Sequence, residues 1–328
     1  MENPADRWTL EALAAPGPAL WWAGAVDVAG VPGREGLRAF SWRLDVVEAL
    51  RSRGIDAEFG PPPPGGTADR FVLRMAKEKA LARAGVQAAA SVLAPGGRLI
   101  LVGAKDEGVV SLAKAVDRAW GPSVVLRDGP WRRFVWTRPE GVVDFPAESL
   151  LPSPRYEAFG VTVHAAPGVF SWKRLDPGTS RLLAWADEAL QPRGSWLDLG
   201  CGAGILAAWL AERGADEVVA ADSSALALRA AEATLGGRGR VVASDAGRGL
   251  EGGFDGVLCN PPFHRGFDHS RALTGRFVRG ARAALRPGGR AIFVVNAFVP
   301  LQREAAALFA STVLHVDDGR YRVVEART

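Results

Sequence analysis

Two cysteines in 328 residues are too few for a disulfide framework or a structural zinc site. The four histidines, at positions 164, 264, 269 and 315, show no spacing suited to metal ligation. No apolar run is long enough to span a bilayer. The opening stretch MENPADRWTLEALAAPGPALWW lacks the basic start and compact apolar core of a secretory leader. These absences argue against a disulfide scaffold, a metal centre and a membrane partner, and they predict a cytoplasmic chain. Lysine is scarce as well: it occurs five times, so 35 of the 40 basic residues are arginine. A side chain with a fixed fork of donors suits phosphate and base contacts. Net charge is only +4, yet residues 265–290 hold seven arginines against a single acid, Asp268.

The length suits two domains. ALWWAGAVDV (19–28) reads as a buried strand, and LRAFSWRLDVVEALRSRG (37–54) has helical periodicity. PPPPGG (61–66) is a turn or surface loop. DRFVLRM (69–75) and RLILVGA (98–104) read as strands, KALARAGVQAAASVLA (79–94) and VVSLAKAVDRAW (109–120) as helices. Such alternation predicts a parallel sheet covered on both faces. The halves also resemble each other. AAASVLAPGGRLILVGA (88–104) parallels RAALRPGGRAIFVVNA (282–297), and each is preceded by a helix and by a strand with an early Asp. The expected fold is therefore α/β, with two tandem Rossmann-like domains. LLPSPRYEAFG (150–160) reads as the linker, which places the domains at 1–155 and 156–328. Only the second half keeps a glycine-rich turn, and where it has Asn260-Pro261-Pro262-Phe263 the first has Arg74-Met75-Ala76-Lys77. The first domain is thus a degenerate copy with an RNA-binding or structural role.

The chemistry concentrates in residues 196–263. WLDLG (196–200) is a buried strand that enters the turn Gly200-Cys201-Gly202-Ala203-Gly204, where glycine lets backbone approach a ligand. A helix follows, then the strand VVAAD (218–222). Asp222 at its carboxyl end is placed to accept from ribose hydroxyls. The third glycine comes one residue too early for a dinucleotide fingerprint. Asp198, two residues before the first glycine, would repel a pyrophosphate but suits the cationic end of S-adenosylmethionine. Asp245, in VVASDAG (241–247), follows the next strand. It reads either as an acceptor for the adenine amine or as a turn residue.

Asn260-Pro261-Pro262-Phe263 supplies acceptors for a planar amine. An exocyclic amino group is a poor nucleophile because its lone pair is delocalised. The Asn260 amide and the Pro261 carbonyl can accept its two hydrogens, and Phe263 can stack the base. Alignment and water exclusion then carry the reaction, without metal or covalent intermediate. Cytosine-C5 methylation is disfavoured, because Cys259 precedes Asn260 inside a buried strand and Cys201 belongs to the glycine turn.

LDLGCGAG, the Asn-Pro-Pro-Phe tetrad, PGGRAIFVVNAFVP and APGVFSWKRLDPGTSRLL (166–183) resemble the RsmC-type family of small-subunit ribosomal RNA guanine-N2 methyltransferases. The tandem layout with a degenerate first domain is similar too. The resemblance implies an S-adenosylmethionine-dependent methyltransferase acting on a guanine N2 amine in 16S rRNA, free or in the assembled small subunit, and a monomer. It implies that Asp198, Gly200 and Gly202 hold the donor, Asp222 its ribose and Asp245 its adenine, with Asn260, Pro261 and Phe263 catalytic at the guanine. Phe170 or Thr179 closes over the donor, Thr179 on the donor side and Phe170 on the substrate side. His264 and Arg265 border the pocket mouth. Lys77 and Lys79 stand where the first domain's site would be. Further RNA contacts are sought in Arg279, Arg282 and Arg286 on one helical face, which reads equally as a solvated charged face, and in Trp131, Arg132, Arg133 and Trp136, which packing would also explain. Two other readings stay open: methylation of a protein glutamine amide or another nucleic-acid amine, and a non-catalytic RNA-binding module.

Overall fold

The computed structural model describes residues 4–23, 30, 31, 33, 35–62, 65, 68–141, 145–262 and 267–328, the side chains of 267–272 excepted. The chain divides into two units, Met1–Leu150 and Leu151–Thr328.

In the first unit α1 (Pro4–Ala14) precedes β1 (Ala19–Trp22), β2 (Leu37–Ser41), α2 (Leu44–Arg51), β3 (Asp56–Phe59), β4 (Ala68–Arg74), α3 (Lys79–Val92), β5 (Leu93–Ala104), α4 (Val109–Trp120), β6 (Val124–Asp128) and β7 (Trp131–Thr137). The strands form one sheet in the order β3-β2-β1-β4-β5-β7-β6. The first five run parallel, and β7 pairs antiparallel with β5 and β6.

The second unit opens with the hairpin β8 (Ser153–Ala158) and β9 (Val161–Ala165). It continues with α5 (Pro177–Ala189), β10 (Ser195–Leu199), α6 (Ile205–Glu212), β11 (Glu217–Asp222), α7 (Ala225–Leu235), β12 (Arg240–Ala243) and β13 (Phe254–Cys259). Then come α8 (Phe267–Ala284), β14 (Leu285–Asn296), α9 (Leu301–Ala306), β15 (Ser311–Asp317) and β16 (Tyr321–Arg327). Its sheet order, β12-β11-β10-β13-β14-β16-β15, repeats that of the first unit strand for strand. Even the irregularities recur. The pairing of β4 with β5 shifts register between Ala68 and Arg70, and that of β13 with β14 between Phe254 and Gly256. Both shifts face a Pro-Gly-Gly turn whose second glycine is wedged against a strand carbonyl. A Cβ on Gly97 would lie 3.0 Å from the Ala68 oxygen, and one on Gly289 3.0 Å from that of Phe254. The repeat seen in the sequence is therefore a repeat of fold.

Burial explains the central helix of the second unit. Ile205 to Leu210 of α6 are all buried, because the helix packs on β10 and β11 while α7 and β9 cover it from outside. A helix enclosed this way is apolar all round. Another apolar cluster joins Leu197, Val257 and Phe293 of the sheet to Phe277, Val278 and Ala281 of α8.

Several expectations from the sequence need correction. LRAFS (37–41) is strand β2, and only Leu44–Arg51 is helical. Four of its five strand residues are buried, and a short apolar run covered on both faces carries no period that separates strand from helix. The stretch 150–160 is not a bare connection, since β8 lies inside it and pairs with β9; the units part at 150/151. The cluster at 131–136 is mostly packing. Trp136 is buried with its indole N–H donating to Asp117 (2.9 Å). Arg132 is buried against carbonyls of Gly129 and Trp131, and Arg133 pairs with Glu11 at 3.2 Å. On the helical stretch, Phe277, Val278, Ala281 and Ala284 are buried and Arg279 and Arg282 exposed, whereas Leu285 and Arg286 have passed into β14.

Candidate active site

The carboxyl ends of β10, β11 and β13 gather the site. β10 and β13 are adjacent and parallel, with Asp198 level with Leu258. Two residues further on, Gly200 and Asn260 leave neighbouring strand ends, where strands lie about 4.8 Å apart.

The glycine turn is tied down by its neighbours. The N–H groups of Gly200 and Cys201 donate to the Ala221 carbonyl at 2.8 and 3.0 Å. Gly202 N–H donates to Asp222 Oδ2 at 3.0 Å, and Ser224 N–H to Oδ1 at 2.8 Å. Gly200, Gly202 and Gly204 all have positive φ, a region that other residues enter only with strain. Their spacing serves different ends. A Cβ on Gly204 would meet Ala231 Cα of α7 at 2.8 Å, and one on Gly200 the Phe277 ring at 2.9 Å. A Cβ on Gly202 would meet nothing within 4 Å. Gly202 thus presents bare backbone to open space beside the Asp222 carboxylate.

Asp198 is fully buried under the first turn of α6. Its Oδ2 accepts from Ala207 N–H at 3.0 Å, while Oδ1 has no partner. Burial, reinforced by the Asp222 charge and opposed by the Ala207 N–H, pushes its pKa up to about 7. Burial also raises Asp222, against backbone donors of Gly202, Ser224 and Ser223. A buried acid with one unpartnered carboxylate oxygen, a half-buried acid beside it and an uncovered glycine suit a ligand with a cationic end and sugar hydroxyls. The residues present therefore fit a sulfonium nucleoside. Asp245 is committed otherwise: Arg248 (3.1 Å) and Arg276 both pair with its Oδ2. An adenine amine would have to share that carboxylate.

Asn260 is held by the start of α5. Asp176 caps that helix, its Oδ2 accepting from Thr179 N–H at 2.8 Å, and Pro177 takes the first helical position, where its lack of N–H costs nothing. The Asn260 amide nitrogen donates to Asp176 Oδ2 at 2.9 Å and to Thr179 Oγ1 at 2.8 Å. A carboxylate can only accept, so the amide must turn its NH2 inward. Both amide hydrogens are then used, and Oδ1 remains as the acceptor end. Among the described residues Oδ1 accepts no hydrogen bond. The cap position of Asp176 is visible in Asp-Pro-Gly-Thr, but a partner 84 residues away is not. Replacing Asp176 by alanine is expected to cost about 1 kcal/mol as a lost cap and to lower kcat for methyl transfer at least ten-fold with KM unchanged. Thermal unfolding and steady-state kinetics together check this, since loss of the cap alone would leave kcat near the parent value.

The other expected residues are scattered. Thr179 belongs to the Asn260 network, its hydroxyl accepting from the amide nitrogen at 2.8 Å. Phe170 stands 67% exposed in the turn before α5. Pro261 is buried. Phe263, His264 and Arg265 lie outside the described residues. Lys77 and Lys79 are exposed after β4 and at the start of α3. Both cysteines are buried, which drives their thiols well above the usual range and leaves no thiolate for a nucleophilic route. Among the described residues no group of His, Cys, Asp and Glu could hold a metal ion.

The first unit shows what the second would lose. Arg74 ends β4 where Asn260 follows β13. Its guanidinium pairs in fork fashion with Glu107 at 2.6 and 3.0 Å and lies 5.3 Å from the Trp131 ring centroid. Burial pushes Glu107 up, but Arg74 and the Ala104 N–H outweigh it and hold the carboxyl below its ordinary range. A paired cation stands where an acceptor for an amine would be required.

A family model described as Methyltransferase small domain matches residues 160–325, and one described as Methyltransferase small domain N-terminal matches 33–125. Ribosomal RNA small subunit methyltransferase C of Chromohalobacter salexigens is 35% identical over 300 residues, 87% of each chain. That of Shewanella loihica is 33% identical over 293 residues, 86% of this chain and 84% of the relative. The solved structure of T. thermophilus 16S rRNA N2 G1207 methyltransferase (RsmC) in complex with AdoMet and guanosine superposes with a TM-score of 0.86 at 27% identity, covering 100% of this chain and 92% of the other. The chain belongs to the ribosomal RNA small subunit methyltransferase C family.

Proposed function

We propose that the chain transfers a methyl group from S-adenosylmethionine to the N2 amine of a guanine in 16S rRNA of the small ribosomal subunit. The observation that carries this reading is the Asn260 amide, whose NH2 is taken up by Asp176 and Thr179, so that its oxygen remains as an acceptor just past the end of β13, the neighbour of the strand that enters the glycine turn. The relatives' shared name and the AdoMet- and guanosine-bound neighbour support the donor and the base. No helix of the described residues is long and apolar enough to cross a membrane. We read the protein as a cytoplasmic monomer.

In this mechanism Asp198 faces the cationic end of the donor, Gly200 and Gly202 admit it, Asp222 accepts from its ribose and Asp245 from its adenine. The bound donor supplies a methyl carbon made electrophilic by cationic sulfur. Asn260 Oδ1 accepts one hydrogen of the guanine amine and the Pro261 carbonyl the other, which draws the nitrogen toward tetrahedral geometry. With the donor bound, the amine nitrogen would take the methyl group as the carbon–sulfur bond broke with its electron pair left on a neutral thioether, and the surplus proton would pass from nitrogen to water at the mouth of the site. Orientation and exclusion of water supply most of the rate. We assign base stacking to Phe263 and RNA contact to Phe170, His264, Arg265, Lys77 and Lys79.

Incubation with methyl-labelled donor, small ribosomal subunits and protein factors tests the reading. Label is expected in 16S rRNA, as N2-methylguanine after nuclease digestion. Label in protein alone would replace this proposal with glutamine methylation.

A further inference from the structure

A second basic and aromatic feature is built on β8 and on the turn that leads into α5. The Arg155 guanidinium carbon, on β8, stands 5.1 Å from the Trp172 ring centroid, and the Lys173 ammonium 4.8 Å from it. Arg155, Lys173 and Arg174 are all exposed. Among the described residues none of the three pairs with a carboxylate, whereas Arg181, Arg213, Arg238 and Arg322 of the same unit each do. The Arg155 Nε–H donates to the Ala165 carbonyl at 3.1 Å, which fixes the side chain over the hairpin. Cation–π contact holds such charges in place without neutralising them.

The neighbouring residues complete a surface. Phe170 is 67% exposed. Between it and Trp172, Ser171 has φ of +53°, an uncommon conformation for a side chain of this kind and one that turns the chain sharply. Trp172 is four residues from Asp176, so the two lie within about 14 Å even if the chain were fully extended. The second element reaches the same place: Tyr156, next to Arg155, is raised by burial and by the charge of Asp176. The patch therefore borders the network that orients Asn260.

We infer that Arg155, Lys173 and Arg174 bind backbone phosphates of single-stranded RNA flanking the target guanine, and that Phe170 stacks a neighbouring base. The inference rests on the reading of the chain as an rRNA methyltransferase. Charge that follows the backbone, together with an open ring for stacking, is the chemistry of single-strand binding. An acidic peptide would use the charges and leave the Phe170 ring without a role.

The test is fluorescence anisotropy of a labelled, unstructured RNA of about 16 nucleotides, titrated with the full chain across a range of salt. The double variant Arg155→Gln/Lys173→Gln is expected to bind roughly ten-fold more weakly at low salt. Its slope of log K against log salt should be shallower by about 1.4, the value for two lost phosphate contacts on a single strand. Phe170→Ala should weaken binding several-fold with the slope unchanged. Arg240→Gln, at the opening of β12 and so at the far end of the strands from the site, is the control and should retain the parent affinity. Parent affinity and slope in the double variant, an equal loss in the Arg240 control, or binding of poly-glutamate as tight as that of RNA would each overturn the clamp. The labelled-donor assay decides the functional reading separately, because RNA binding is measured here without methyl transfer.

Discussion

Asn260→Ala is expected to lower kcat for RNA methylation by about 10²- to 10³-fold, the size of effect seen when one preorganised polar partner of a reacting group is removed. The donor should still bind, since the hydrogen bonds that hold the glycine turn, Asp198 and Asp222 do not include the Asn260 side chain. Asp176 and Thr179 keep each other as partners through the Thr179 N–H and hydroxyl, so the cap of α5 survives. Isothermal calorimetry with the donor and single-turnover transfer to ribosomal RNA separate the two effects. Transfer at the parent rate would show that no amide is required to grip the amine, and the chemistry would need another acceptor.

The second large effect belongs to Asp198. Its folded pKa of about 7 stands well above the usual carboxylate value near 3.9. The folded chain therefore holds this proton more tightly than the unfolded chain between about pH 4 and pH 7, and stability of the donor-free protein falls as pH rises through that window. Above pH 7 the full penalty is in place, on the order of 4 kcal/mol. Asp198→Asn removes it, so at pH 8 the donor-free variant is expected to melt above the parent. The same change should weaken donor binding, because the cation loses its counter-charge. In the parent, binding of a cationic donor to the ionised form alone makes affinity fall about ten-fold from pH 8 to pH 6; in the variant that dependence should vanish. Thermal melts and calorimetry at pH 6, 7 and 8 read both effects. A parent whose donor affinity is flat across this range would show that the Asp198 oxygen does not face the donor.

How much of this was legible beforehand varies with the range of the forces involved. The α/β class follows from local patterns, set by residues within one strand and one turn of each other, and the tandem repeat from those patterns recurring in the same order; both were read correctly. The segment 37–41 was not, because a strand buried on both faces has no alternation to display. Strand β8 was missed because Pro152, just before it, and Pro154, its second residue, read as linker chemistry, and a hairpin edge tolerates proline. For Trp136 and Arg132 packing and RNA contact both stood open, because alternation along β7 turns every second residue into the core, and composition does not say which.

The sequence by itself determined that strands and helices alternate, that glycines open one turn, and that an amide follows a buried strand in the second half alone. These are consequences of backbone preference and of the period of apolar residues. Only the tertiary structure decided which way that amide points, since its orientation depends on a carboxylate and a hydroxyl brought from 84 and 81 residues away. It likewise decided that one oxygen of Asp198 lies buried without a partner and that two cations converge on Trp172. Hydrogen bonds and charge act over a few ångströms of space, and distance along the chain does not report distance in space.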